Sequence, residues 1–560
     1  MGSFASFYNA WGIGANDCAN SFATAVGAKV LTLKNAILIA GIFEFLGALL
    51  MGSHVTGAIR KNIVSYKIFE DEPGALMFGM LCCNIAAGLW LNIATYFKYP
   101  VSTTHSIIGA IIGFSLTYGG GDAVKWNKVG LIVASWVLSP VLAGVFSFSF
   151  YSIIKKYVFN TSDPVKKVIY IFPILTFFTF LINGFFIFYK GTPQLKLDKL
   201  DLWISIVSAL SLAIVTSLLS WYFYLPYAKR KLEQNNNNRI CENNNNNNNI
   251  ILTLDDSYEL STFSNDDEMY DLQSQINKEN RTQNYRVISN MQNNENNENN
   301  ENNENNENNK NNENNGNNEN NENNENNNFF YKCLGLDKEY SNEKINKSDN
   351  IYLNDLSIVE NVKRLKNYIE NLLVQEKTEK IELLHKNAIS INQDAEQLCS
   401  SLQVITACFS SFAHGANDVA NSIAPLATIY SIYELQTVSK KMDVPIWILF
   451  IGAFGIVIGL ATWGYKIIDR IGRELTKITP SRGFIIELSA ALTTLIASRA
   501  ELPVSTTHCQ IGSVIGCGVS DNKNNMEWKL VKEIIYSWLI TLPATGLLSA
   551  TLFSFGYYAP

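Results

Sequence analysis

Paired cysteine spacing is missing from this chain. Nine cysteines are scattered through 560 residues with no CxxC and no metal-ligand pattern, so neither a zinc site nor a dithiol centre is implied. Cys18, Cys82, Cys83, Cys408, Cys509 and Cys517 fall in apolar sequence and read as small packing residues. The start lacks a cationic region and a cleavage site, so no secretory signal peptide is expected. Met1-Gly2-Ser3-Phe4-Ala5-Ser6 fits a loose acylation pattern, which would add little to a chain that crosses a bilayer many times. Gly12-Ile13-Gly14 lacks the third glycine and the preceding strand of a dinucleotide fold. No nucleophile elbow appears either, so no enzyme and no cofactor are expected. Charged residues are only 17% of the chain, and the net charge of −6 owes much to a Glu-rich middle, so no nucleic-acid surface is implied.

Charge is nearly absent from long runs on either flank. Apolar segments fall at 4–28, 34–56, 75–97, 101–118, 127–158, 167–190 and 202–227, then at 402–430, 445–468, 483–500, 504–520 and 530–556. Most reach the ~20 residues a helix needs to cross about 30 Å of hydrocarbon. The fold class is therefore all-α, a polytopic membrane protein.

The flanks repeat each other. Gly14-Ala15-Asn16-Asp17-Cys18-Ala19-Asn20-Ser21 returns as Gly415-Ala416-Asn417-Asp418-Val419-Ala420-Asn421-Ser422. Pro100-Val101-Ser102-Thr103-Thr104-His105 returns letter for letter as Pro503-Val504-Ser505-Thr506-Thr507-His508. Behind each comes Ile-Gly (Ile108-Gly109, Ile511-Gly512), then Trp126 or Trp528, Ser135-Trp136 or Ser537-Trp538, and Pro140 or Pro543. Shared order at a nearly constant offset marks an internal duplication. The expected organisation is a first repeat over 1–160, linking transmembrane helices over 161–231, a cytoplasmic loop over 232–398 and a second repeat over 399–560.

Segments 75–97 and 101–118, like 483–500 and 504–520, have no room for a hydrated loop between them. Each pair is expected to form a re-entrant helical hairpin, since irregular backbone at membrane depth survives only where protein or a water-filled cavity satisfies it. Five crossings then precede the second copy, so the repeats would be inverted. Basic residues such as Lys155, Lys156, Lys166, Lys167, Lys229, Arg230, Lys466, Arg470 and Arg473 collect on one side, which favours both termini outside and the long loop in the cytoplasm. Residues 232–328, ending in repeated Asn-Asn-Glu, have too little apolar surface to fold. Ile358, Val362, Leu365, Ile369 and Leu372 recur at helical spacing and suggest an amphipathic helix.

A carboxylate near mid-bilayer costs about 2.5–3.5 kcal/mol on insertion scales, so Asp17 and Asp418 need partners. Asn16, Asp17 and Asn20, with Asn417, Asp418 and Asn421, offer carboxylate and amide oxygens suited to a hard cation such as Na⁺. The flanking Gly and Ala residues would let backbones approach and loosen the helix, freeing carbonyls as further ligands. Pro100 and Pro503 suit helix starts, which places Ser102, Thr103 and Thr104, with Ser505, Thr506 and Thr507, at helix N-termini that can hold a small oxyanion. His105 and His508 either donate to that anion or serve the scaffold. Glu44, Glu487 and Asn84, which takes the place of Glu487 in the first copy, are candidates for coupling or gating. Arg499 and Glu501 are expected to pair with each other.

On the duplicated Gly-Ala-Asn-Asp and Pro-Val-Ser-Thr-Thr-His motifs, the chain resembles the inorganic phosphate transporter (PiT) family, in particular its eukaryotic sodium-dependent branch. The resemblance covers about 1–228 and 400–560. It implies symport of inorganic phosphate with sodium ions by alternating access, an inverted-repeat helical fold, a homodimer and a plasma-membrane location. It also implies cation and substrate roles for the Asp and Asn residues, phosphate contacts for the hairpin Ser and Thr residues, and a transport role for Glu44 and Glu487. Met80 stands where animal relatives carry an acid, which bears on cation preference. A proton-coupled phosphate or sulfate carrier keeps the same fold, and a non-transporting nutrient sensor would bind without uptake.

Overall fold

Apolar sequence interrupted by short polar motifs folds here into long helices broken where the motifs fall. The computed structural model describes residues 1–190, 200–234, 379–438, 444–499 and 504–559. The first flank forms α1 (Gly2–Asn16), α2 (Ala19–Gly27), α3 (Leu33–Asn62), α4 (Pro73–Tyr96), α5 (Thr103–Gly119) and α6 (Trp126–Ile154). Two linking helices follow, α7 (Pro164–Lys190) and α8 (Leu202–Leu219). The second flank forms α9 (Gln393–Leu435), α10 (Ile446–Trp463), α11 (Tyr465–Asp469), α12 (Pro480–Arg499), α13 (Thr506–Asp521) and α14 (Trp528–Tyr558). These flanks make one compact unit. The expectations of disorder and of an amphipathic helix fall, from 235 onward, outside the described residues, as does the turn of the second hairpin at 500–503.

Seven of these helical stretches are long and apolar enough to cross a membrane. Those that fall short include α1, α2, α9 and α13, the helices that carry the polar motifs. The cysteines of the described residues are free, and all but the half-buried Cys408 are buried, in keeping with packing roles.

The two flanks interlock by exchange. The last helix of each covers the hairpin of the other. A Cβ on Gly516 of α13 would lie 2.1 Å from the Gly144 carbonyl oxygen of α6. The duplicated counterpart does the same, with Gly113 of α5 at 2.0 Å from the Gly546 carbonyl oxygen of α14. Absent side chains thus let helix backbones touch, which is how helices associate where lipid supplies no hydrophobic drive.

The helix loosening expected at the duplicated Asn-Asp motif occurs in one copy. Within segment 4–28 the ladder slips at Asp17–Cys18, where both Asp17 and Cys18 N–H bond the Ile13 carbonyl. The second copy does not loosen; α9 runs unbroken for 43 residues through Asn417 and Asp418. Near-identical motifs thus carry unequal backbone in the two copies. The first hairpin turns ahead of its motif, which lies on the returning arm. α4 continues to Tyr96, the exposed turn carries Lys98 at φ 62°, and Tyr99–Ser102 then runs inward without helix. At 24 residues α4 can span the bilayer, so the buried part of this hairpin is its returning arm, not its turn.

At the foot of the second hairpin, the fully buried Arg482 pairs with Asp521 (2.7 Å) and donates to the Ile389 carbonyl (2.8 Å) and the Tyr151 hydroxyl (3.1 Å). The chain leading into α9 is therefore tied to α12, α13 and α6.

Gly516→Val should overpack the α6–α13 contact by about 1–3 kcal/mol. The expected readout is a lower melting temperature and less monodisperse protein on fluorescence-detected gel filtration. Gly74→Ala, where an added Cβ meets nothing within 4 Å, should leave both unchanged.

Candidate functional site

The helix slip at Asp17 and the inward run of the first hairpin place polar groups face to face. Asp17 accepts from Asn20 Nδ2 (2.7 Å), from the Thr103 hydroxyl (2.8 Å) and from the Thr507 hydroxyl. Asp418 accepts from Asn421 Nδ2 (2.9 Å) and the Thr506 hydroxyl (2.7 Å). The amides then cross between copies: Asn20 donates to Thr507 (3.3 Å), while Asn421 donates to Thr104 (3.4 Å) and Thr103 (3.0 Å). Duplicated residues thus make duplicated contacts, each amide reaching the other copy's hairpin helix.

A residue that the motifs did not single out ties the two aspartates together. His414 Nε2 lies 3.0 Å from Asp418 Oδ2 and 3.7 Å from Asp17 Oδ2, and its Nδ1 lies 2.9 Å from Glu44 Oε2. Glu44 also accepts from the Ser411 hydroxyl (2.9 Å). Three carboxylates and one imidazole are all buried here, and an imidazole carries at most one positive charge. Gly415 makes the approach possible, since a Cβ there would lie 2.2 Å from the Glu44 carbonyl oxygen. His414 escaped the motif search because the first copy has Ile13 at the matching place. The signal was that mismatch, together with its i,i+4 spacing to Asp418.

Other candidates are placed differently. Asn16 is taken up by the first hairpin: its Nδ2 donates to Thr95 Oγ1 (2.9 Å) and the Tyr99 carbonyl (2.9 Å), and its Oδ1 accepts from Val101 N–H (2.9 Å). Trp538 Nε1 donates to the Pro100 carbonyl (3.2 Å) and completes that support. Ser102 and Ser505 cap α5 and α13, accepting from His105 N–H (3.2 Å) and His508 N–H (3.3 Å). Their caps leave the Thr103, Thr104, Thr506 and Thr507 N–H groups outside the helical ladder. His105 and His508 meet each other, ring centroids 4.4 Å apart, backed by Trp136 and Trp538. His508 Nδ1 also lies 3.1 Å from the Trp136 carbonyl oxygen. Glu487 accepts from the Thr24 and Thr406 hydroxyls in a cluster of its own. Asn84 accepts from Asn9 (3.0 Å), whose Nδ2 also reaches the Asn421 carbonyl (3.2 Å). Met80 is packed in the apolar core. The pairing expected of Arg499 and Glu501 lies outside the described side chains.

A small, partly open pocket lies beside these groups, lined by Asn20, His414, Asn417, Thr494, Thr506 and Gln510, among others. Chemically, the arrangement offers anionic oxygens for a hard cation next to hydroxyl and N–H donors for an oxyanion. Each threonine hydroxyl keeps lone pairs, so a cation seated against a carboxylate can take both as ligands.

The family model described as "Phosphate transporter family" matches residues 13–549. Among similar proteins are a "Sodium-dependent phosphate transporter 1" of Homo sapiens, 30% identical over 96% of this chain and 92% of the relative, and a "Sodium-dependent phosphate transporter 1-B" of Xenopus laevis, 32% identical with the same coverage. A solved structure titled "The sodium-dependent phosphate transporter" superposes with a TM-score of 0.65 at 28% identity, covering 100% of this chain and 98% of the other.

Asn16→Leu should strand the Val101 N–H and Tyr99 carbonyl of the hairpin arm, a loss of about 1–3 kcal/mol for buried groups left unpaired. Thermal unfolding of the purified protein checks this. A melting temperature equal to that of the parent would mean the arm is held without Asn16.

Proposed function

We propose, from the premise that the chain belongs to the phosphate transporter family, that it carries inorganic phosphate across a membrane together with Na⁺, by alternating access around the Asp17–Asp418 site. It is a multi-pass membrane protein and not an enzyme. Sodium ions are cargo here, not a resident cofactor.

The observation that carries the reading is the meeting of two aspartates, each bonded to hairpin threonines, around a single histidine. With Glu44 the cluster holds more potential negative charge than its imidazole can balance. Entering cations supply the difference, and their oxygen ligands are at hand in Asp17, Asn20, Asn417, Asp418 and Asn421. The threonine N–H groups at the starts of α5 and α13, with the dipole ends behind them, then hold phosphate without any fixed arginine. Binding order follows from charge: the anion is welcome beside three carboxylates only once cations are present. Glu487 and the His105–His508 contact make no hydrogen bond to that cluster among the described residues and act, in this reading, on gating between the two repeats.

The finer placement belongs to the same proposal: inverted repeats over 1–160 and 399–560 joined by helices of 161–231, a cytoplasmic loop over 232–398, both termini outside, the plasma membrane, and a homodimer. The basic-residue bias supports the orientation, and the family resemblance supports the rest.

Uptake of labelled phosphate into proteoliposomes, with Na⁺ and proton gradients imposed separately, tests the reading. Uptake should follow the Na⁺ gradient; uptake driven by protons alone would favour a proton-coupled carrier, and saturable binding without uptake would favour a sensor. Asp17→Asn and Asp418→Asn should each lower Na⁺-driven uptake by about a hundredfold or more while the protein still inserts, as expected for a lost charge-assisted contact of about 3 kcal/mol. Full Na⁺-driven uptake in both would remove the aspartates from the cation site.

A further inference from the structure

We infer that the side-chain amide of Gln510 binds the transported phosphate directly, which makes the two sides of the anion pocket unequal; the inference rests on the reading of the site given above. Gln510 lies on α13 four residues beyond Thr506, so the two share one helix face, and both line the cavity beside Asp418. Gln510 is only 3% exposed, and its Nε2 has no hydrogen-bond partner among the described residues. Buried amide groups are almost always paired, so a donor left open on a cavity wall indicates a partner that arrives from outside. Asn20, Asn417 and Thr506 add polar groups to the same lining, and an oxyanion accepts from such donors.

The duplication supplies the independent argument. The matching place in the first copy is Ile107, fully buried in the apolar core. The fold therefore closes around a branched apolar side chain at this position, and packing does not call for an amide. Only the second copy carries the amide, and only the second hairpin helix reaches this cavity, which α5 does not line. Phosphate held between the starts of α5 and α13 would thus gain an added donor from the α13 side alone. An uncharged donor also suits a site rich in carboxylates, because it attracts the anion without competing with Na⁺ for Asp17 and Asp418.

The test is phosphate uptake into proteoliposomes under an inward Na⁺ gradient, with phosphate and Na⁺ varied in turn. Gln510→Leu should raise the phosphate KM about tenfold, the effect of losing one hydrogen bond to a charged group, and Gln510→Glu should raise it further by repulsion. Half-saturation by Na⁺ at high phosphate should move less than about twofold, a split that a general loss of structure would not give. Ile107→Leu should leave both values unchanged. On purified protein in Na⁺, phosphate should raise the melting temperature of the parent more than that of Gln510→Leu. Gln510→Met, unbranched and of similar length, carries the same expectations if the leucine variant is poorly made. A parental KM and a parental phosphate-induced shift in either folded variant would overturn the assignment of Gln510 while leaving phosphate symport intact. Absence of phosphate uptake by the parent would instead remove the reading on which the assignment rests.

Discussion

Carboxylates kept out of water need partners, and in this protein three of them share one imidazole. Asp17, Asp418 and Glu44 converge on His414 from α1–α2, α9 and α3, and the rest of the site follows from that convergence. An ionised acid in a low-dielectric interior is costly unless charge and hydrogen bonds compensate it. The hairpin threonines supply hydrogen bonds, the histidine supplies part of the charge, and mobile cations can supply what remains. A site short of positive charge is one that ions can enter, and then leave when the helices around it separate.

Exchange between the halves makes such separation a collective event. α6 lies on α13 and α14 on α5 through glycine contacts, while Asn20 and Asn421 each reach across to the other copy's hairpin helix. Neither hairpin can shift alone without breaking contacts at both levels. The polar cross-links are the weaker set, because ions can replace them, whereas the backbone contacts among glycines tolerate sliding but not added volume. The symmetry is nonetheless incomplete. α9 is unbroken where α1 and α2 part, His414 takes the place of Ile13, and Gln510 that of Ile107. Two near-equal halves make a frame, and the unequal positions give it a direction.

Much of this was legible in the sequence, for a physical reason: polar residues in apolar runs are expensive, so their duplication marks the site before any coordinates exist. The membrane helices, the two hairpin pairs and the meeting of Asp17 with Asp418 follow from that cost and from segment length. What pattern cannot show is how each polar atom is used. Asn16 belongs to the same polar motif as Asn20, yet it holds the hairpin arm because Tyr99 and Val101 come back within reach after a turn placed ahead of Pro100. Ser102 and Ser505 serve as caps, a role that any serine at a helix start can fill. His414 and Gln510 were hidden because repeat matching rewards identity, and both sit where the copies differ. Asn84 takes the place of Glu487 in the first copy, yet the two are used differently: Asn84 meets Asn9, while Thr24 and Thr406 engage Glu487.

The central claim is that cations complete an anion site built on buried carboxylates, and equilibrium binding tests it most directly. Labelled phosphate should bind the purified protein weakly without Na⁺, with an affinity that climbs as Na⁺ is stepped up and does not respond to an equal concentration of a bulky organic cation. By linkage, phosphate must tighten Na⁺ binding by the same factor. Phosphate binding of equal strength with and without Na⁺ would contradict the account.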